Sequence, residues 1–136
     1  MRQSLPADPR SGADPLTGLR LLVVEDEALV AMALEDMLDE LGCVVVDVAG
    51  TLARGIALAA ELSIDGAILD INLGGEKVFP VAARLAERGV PFVFCTGYGL
   101  AGLPADFAKA PTLAKPYDQR QLHDLLILGL LDGQRP

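Results

Sequence analysis

The sequence predicts a doubly wound α/β domain: a five-stranded parallel sheet with helices on both faces. Three observations predict it. Short apolar runs recur at 19–24, 43–49, 66–69, 91–96 and 112–114. The segments between the first four and after the last carry helical patterning, so strand and helix alternate along the chain. Four of the five runs end in polar residues, at Glu25/Asp26, Asp70, Thr96 and Lys115.

In chain order, residues 1–18 read as a flexible polar leader with Pro6, Pro9 and Pro15 and no apolar core. Leu19 to Val24 is a continuous apolar run, as expected of a strand buried on both faces. Residues 27–41 follow as a helix, with Val30, Leu34, Met37 and Leu41 on one stripe and Glu35, Asp36, Asp39 and Glu40 on the solvated side. Gly42 ends it. The second strand is 43–49. Thr51 offers an N-cap to a helix over 52–62. Gly66 to Leu69 forms the third strand and delivers Asp70. The loop 71–76 leads to a helix over 77–88, where Pro80 is tolerated because the first helical N–H groups have no intrahelical partner. Gly89 closes it.

The fourth strand, 91–96, ends in the hydroxyl of Thr96. Residues 97–111 hold three glycines and two prolines, with one short helical possibility at 104–109. Thr112 to Ala114 is a short fifth strand before Lys115-Pro116. A last helix over 118–131 has Asp118 as its cap, with Leu122, Leu125, Leu126 and Gly129 facing inward. The organisation is a leader (1–18), one folded domain (19–131) and a short tail (132–136). Right-handed crossovers lead to a flavodoxin-like strand order, 2-1-3-4-5.

Composition bounds the function. The chain has 136 residues, 51% hydrophobic, enough for one core. Its formal net charge of -8 repels a nucleic-acid backbone. No apolar run approaches the roughly 20 residues of a membrane span, and the N-terminus is no signal peptide. A soluble, cytoplasmic protein is expected. Cys43 and Cys95 both lie in apolar stretches and read as reduced, buried thiols.

In an open parallel sheet the carboxyl ends of the strands share one rim, where ligands bind. Glu25, Asp26, Asp70, Thr96 and Lys115 therefore converge. A lone acid after a strand is commonly only a helix cap; four coincidences on one rim are a site. Crowded carboxylates raise one another's pKa, and a hard divalent cation relieves the repulsion. Mg²⁺ takes one or two carboxylates with water and phosphate oxygens. Lys115 adds a point charge and Thr96 a hydroxyl donor, a set that suits a phosphoryl group. An aspartate there can itself attack phosphorus.

The strings LLVVEDE, ILDINL, FVFCTGYG and LAKPY resemble the acid pair, phosphoacceptor, hydroxyl and lysine motifs of bacterial response-regulator receiver domains, over about residues 19–131. The resemblance implies that Asp70 is phosphorylated by a histidine kinase or phosphotransferase. It implies that Mg²⁺ is held by Asp26, Asp70 and the carbonyl of Asn72, with Glu25 acting through water. Thr96 and Lys115 would hold the phosphoryl oxygens, and the Lys115–Pro116 peptide would be cis. PFVFCTGYG narrows the resemblance to the receiver subfamily with a Phe-Ala-Thr-Gly-Tyr signature, Cys95 taking the alanine place. That subfamily is typical of alphaproteobacteria and is often served by kinases of the His-Trp-Glu type. The family's usual switch aromatic, three residues before the lysine, is replaced by Thr112. Tyr98 is the alternative moving part, drawn with Thr96 on phosphorylation, or else a tyrosine that simply packs the loop.

Three functions are weighed. The first is a single-domain response regulator, a signalling domain and not an enzyme, which assists its own phosphorylation and acts on a protein partner or drains a shared kinase. With no effector after residue 131, an output by DNA binding is not expected. The second is a Mg²⁺-dependent aspartyl-phosphate phosphatase. That chemistry wants an acid two residues past the nucleophile, and the residue here is Asn72. The third is a pseudo-receiver that signals without phosphorylation, against which the intact site argues. His123 reads as a surface residue. The apolar run Ile127, Leu128, Leu130 and Leu131 suggests an exposed patch on the last helix, for a homodimer or for kinase docking.

Overall fold

The computed structural model describes residues 14–97 and 103–132. Five strands form one parallel sheet: β1 (Arg20–Val24), β2 (Val44–Ala49), β3 (Gly66–Asp70), β4 (Phe92–Thr96) and β5 (Thr112–Ala114). Their order is β2-β1-β3-β4-β5, the expected flavodoxin-like arrangement. The helices are α1 (Ala28–Glu40), α2 (Leu52–Glu61), α3 (Phe79–Glu87) and α4 (Gln119–Leu126). A 3₁₀ turn at Ala105–Phe107 lies within the helical possibility foreseen at 104–109.

The apolar runs explain the two-faced core. Along β1, Leu21 and Val23 join a cluster with Leu34, Leu38, Leu122 and Leu126. Leu22 and Val24 join a second cluster with Ala59, Val81, Leu85 and Phe94. Alternate residues thus feed opposite faces, α1 and α4 covering one and α2 and α3 the other. Each buried Leu or Val contributes about 1.5–3 kcal/mol.

Local chemistry sets the element ends. Thr51 accepts a hydrogen bond from the N–H of Arg54 at 3.2 Å. Asp118 and Gln121 form a reciprocal capping box at 2.8 and 2.9 Å. Gly42, at φ +89°, closes α1: Cys43 N–H donates to Leu38 O at 2.9 Å and Gly42 N–H to Asp39 O at 3.0 Å. That pair of bonds needs a left-handed residue, which glycine supplies without a Cβ clash.

The structure departs from the sequence reading in four places. Residues 14–18, assigned to the leader, belong in part to the fold. Leu16 is fully buried, Gly18 N–H donates to Gly42 O at 2.8 Å, and Asp14 reaches His123 at 3.0 Å. The α1 stripe is rotated: its buried residues are Ala31, Leu34 and Leu38, flanked by half-buried Val30, Met37 and Leu41. The small Ala31, buried on this face, gave little apolar signal in the sequence. Residues 72–77 are not a plain loop. Asn72–Leu73 and Glu76–Lys77 pair as a two-residue antiparallel hairpin, and α3 starts after it. Finally, α4 gives way to a π-helical turn, Ile127–Leu131. That wider turn buries Gly129 and Leu130 together, leaves Leu125 half-buried, and reduces the expected apolar patch to Leu128, 55% exposed.

Candidate functional site

The carboxyl rim is assembled by backbone contacts first. Glu25 N–H donates to Ala49 O at 2.9 Å, Ile71 N–H to Cys95 O at 3.0 Å, and Lys115 N–H to Thr96 O at 2.8 Å. These bonds tie the carboxyl end of β1 to β2, and those of β3 and β5 to β4, and bring the predicted side chains to one place.

Glu25 is buried behind the rim. Its Oε1 accepts from Lys115 Nζ at 3.0 Å and its Oε2 from the N–H of Glu27 at 3.1 Å. Asp26 is exposed and points into the mouth, and a Cβ on Gly74 would stand 3.7 Å from its Oδ2. Asp70 closes β3 and is buried, with Oδ2 3.4 Å from Lys115 Nζ. Thr96 closes β4 and is buried too. Asp26, Asp70, Asn72, Thr96 and Lys115, together with Glu27, line a cavity of about 360 Å³. Glu25 does not line it.

Burial pushes the Asp70 carboxyl up to about 6, and the negative charge of Glu25 adds to it while Lys115 opposes. Burial works against the charge on Lys115, yet its hydrogen bond to Glu25 and the charges of Asp70 and Glu25 outweigh that and hold it above its ordinary value. Three acids around one ammonium remain short of positive charge. Glu25, Asp26 and Asp70 each offer a carboxylate oxygen, all within 4.8 Å of one another, the one such cluster among the described residues. All are hard oxygen donors, and Asn72 stands beside them, so the set fits a small divalent cation.

The sequence missed two contributors. Glu27 lines the cavity and uses its N–H to orient Glu25. The hairpin at 72–77 carries Asn72 and Gly74 to the mouth. Gly74 and Gly75, at φ +58° and +95°, were the available signal, since adjacent residues of positive φ make a tight hairpin turn. Tyr98 and the rest of the connection to Gly102 lie outside the described residues. Thr112 hydrogen-bonds to the Ala110 carbonyl at 3.1 Å. The Lys115–Pro116 peptide is cis, as expected.

An open sheet in the order β2-β1-β3-β4-β5 that gathers an acid pair, an aspartate, a hydroxyl and a lysine along its carboxyl rim defines the receiver class of α/β domain. The chain belongs to the response-regulator receiver domains of two-component signalling, the family whose model, "Response regulator receiver domain", matches residues 21–127. It is 36% identical over 118 residues to the phyllosphere-induced regulator PhyR of Methylorubrum extorquens, covering 84% of this chain and 44% of that one. It is 30% identical over 113 residues to the transcriptional regulatory protein PdtaR of Mycobacterium tuberculosis, covering 80% and 55%. The chain thus spans about half the length of the curated relatives it matches. The solution structure of SdrG from Sphingomonas melonis Fr1 is 43% identical with a TM-score of 0.71, covering 83% of this chain and 95% of that one. The fold is also that of the receiver domain of the Pseudomonas aeruginosa kinase PA1611, solved with magnesium in its active-site cleft, at 23% identity, a TM-score of 0.72, and 84% and 98% coverage. No helix among the described residues is long and apolar enough to cross a membrane.

Proposed function

We propose that this receiver accepts a phosphoryl group on Asp70 from a histidine kinase or phosphotransferase, with Mg²⁺ as cofactor, and signals by protein contact or by draining a shared kinase. The observation that carries it is the placement of Asp70 Oδ2 3.4 Å from Lys115 Nζ, in a cavity with Asp26, Asn72 and Thr96. An oxygen of the Asp70 carboxylate attacks phosphorus in line. The bond from phosphorus to the donor's imidazole nitrogen breaks, and the imidazole leaves neutral.

Asp26, Asp70 and the Asn72 carbonyl hold the cation, and Glu25 supports them from behind. When bound, the cation neutralises charge on the phosphoryl oxygens. Lys115 and the Thr96 hydroxyl take the remaining phosphoryl oxygens. The ammonium already faces Asp70, so it needs only a small swing away from Glu25.

The Phe-Ala-Thr-Gly-Tyr subfamily, and with it a kinase of the His-Trp-Glu type, is supported by the PFVFCTGYG string. Self-association through the last helix would rest on Leu128. Light scattering with and without a phosphoryl mimic checks it, and a monomer in both states rules it out.

The main test is incubation with a small acyl phosphate and Mg²⁺, read by intact mass, for the wild type and Asp70→Ala. A single phosphoryl adduct that is lost in Asp70→Ala is expected. A wild type that stays unlabelled overturns the reading, and continuous turnover of phosphate esters points to a phosphatase.

A further inference from the structure

Glu25 is the most deeply buried of the three clustered acids and the one that does not line the cavity. Both of its carboxylate oxygens have partners within the protein. Oε1 accepts from Lys115 Nζ at 3.0 Å, and Oε2 accepts from the N–H of Glu27 at 3.1 Å. Glu27 is the N-cap of α1, so the carboxylate takes up a backbone donor that the helix itself does not use. The main chain of Glu25 is fixed as well, its N–H donating to Ala49 O at 2.9 Å. The acid is thus braced by β2 on one side and by the start of α1 on the other, and it offers a fixed oxygen to the lysine.

Lys115 needs such a partner. Its ammonium is a point charge on a flexible four-carbon stem, and two carboxylates compete for it: Glu25 Oε1 at 3.0 Å and Asp70 Oδ2 at 3.4 Å. An ammonium that settled on Asp70 alone would tie up the oxygen lone pairs that have to attack phosphorus. Shared between the two acids and nearer to Glu25, it leaves them available.

We propose that Glu25 is a positioning residue for Lys115: its carboxylate, braced by the Glu27 N–H, holds the ammonium off Asp70 and within a short swing of an arriving phosphoryl oxygen. This deepens the phosphoacceptor reading of Asp70 and rests on it. Glu25 then works through its reach more than through its charge on a cation. An aspartate at this position keeps the charge but draws the carboxylate back by one carbon–carbon bond, about 1.5 Å. That takes a contact of 3.0 Å out of hydrogen-bonding range. A glutamine keeps the reach and still offers an amide oxygen to the ammonium, without the charge.

The test compares Glu25→Asp and Glu25→Gln, each with Lys115 present and in a Lys115→Met background. Labelling by a small acyl phosphate with Mg²⁺ is followed by intact mass. The ε-methylene NMR resonance of Lys115 is recorded without metal or phosphodonor. Glu25→Asp should label about tenfold more slowly, the rate equivalent of one charge-assisted hydrogen bond. Glu25→Gln should lose less, whereas an acid that acted by its charge on the cation would give the reverse order. In the slow Lys115→Met background, Glu25→Asp should cost nothing further. The Lys115 resonance should move in Glu25→Asp. A glutamine variant slower than the aspartate one, or an aspartate penalty that persists without Lys115, overturns the proposal. If the wild type itself takes no label, the phosphoacceptor reading fails, and the Lys115 resonance alone decides the positioning role: an unmoved signal in Glu25→Asp refutes it.

Discussion

Lys115 Nζ stands 3.0 Å from Glu25 Oε1 and 3.4 Å from Asp70 Oδ2. The ammonium is therefore held mainly by the acid behind the rim, and the acid in the cavity keeps a free face. One positive charge against three carboxylates leaves Asp70 strained electrostatically, and the predictions start there.

Asp70→Asn should stabilise the metal-free protein at neutral pH. The folded carboxyl is raised to about 6 from 3.8, so the folded state binds more protons than the unfolded one between those values. Stability then falls as pH rises across that window, and the full cost is present above it. Removing the charge should gain on the order of 1–3 kcal/mol at about pH 7.5 and little below about pH 4. Urea unfolding with a chelator at both pH values measures it. Added Mg²⁺ should narrow the gap by stabilising the wild type alone.

Gly75→Ala should loosen the hairpin that presents Asn72. Gly75 sits at φ +95° with nothing near a Cβ, so the penalty is conformational, about 1–2 kcal/mol. Gly75→Asn should recover part of it, because asparagine tolerates left-handed geometry. Thermal unfolding reads the cost, and titration calorimetry with Mg²⁺ should show weakened binding in step with it.

Gly129→Ala should be among the costlier small substitutions. A Cβ there would overlap Val93 Cγ1 and meet Pro111 at 3.2 Å, which overpacks the π-helical turn by about 1–3 kcal/mol. Gly66→Ala meets only the outer part of the Leu130 side chain, its methyl groups at 2.9 Å and Cγ at 3.3 Å, with no backbone or ring in the way, so it should cost less. Urea midpoints of the two variants give the ranking, and the reverse order would contradict this packing.

The contact of Asp14 with His123 should add stability over a limited pH range. His123 is raised by its hydrogen bonds to Asp124 and Asp14, and Asp14 is lowered by the Leu16 N–H and by His123. The raised histidine contributes fully below its unfolded value of about 6.5 and loses that contribution as pH climbs through its folded one. The lowered aspartate contributes above about 4 and loses it in acid. Asp14→Asn should therefore cost most at about pH 5.5 and little at about pH 8.5, and less than about 1 kcal/mol because the pair is partly exposed. Leu16→Ala should cost about 2–5 kcal/mol at either pH. Thermal melts of both variants across pH separate the ion pair from the buried leucine.

The order of elements was legible because β1, β3 and β4 are buried on both faces and so almost wholly apolar, and the half-buried edge runs 44–49 and 112–114 fall at the spacing that alternation with helices requires. The rim was legible because apolar runs that stop at Asp70, Thr96 and Lys115 put their polar ends on one edge. The hairpin was not, since two-residue strands such as Asn72–Leu73 show no periodicity. The α1 face was misphased because Ala31, small and bland in sequence, is buried, while Leu29 and Met32 are 80% and 58% exposed.

The sequence by itself determined which residues arrive at the carboxyl rim, because strand direction and connection handedness leave a parallel sheet few other places to put them. Only the tertiary structure decided how those residues share their contacts. Lys115 bonds Glu25 before Asp70, and Leu16 is drawn into the core from a segment that looked like leader. Each of these is a contact between side chains far apart in the chain, fixed by packing distance and local charge, and neither quantity is written in a linear pattern.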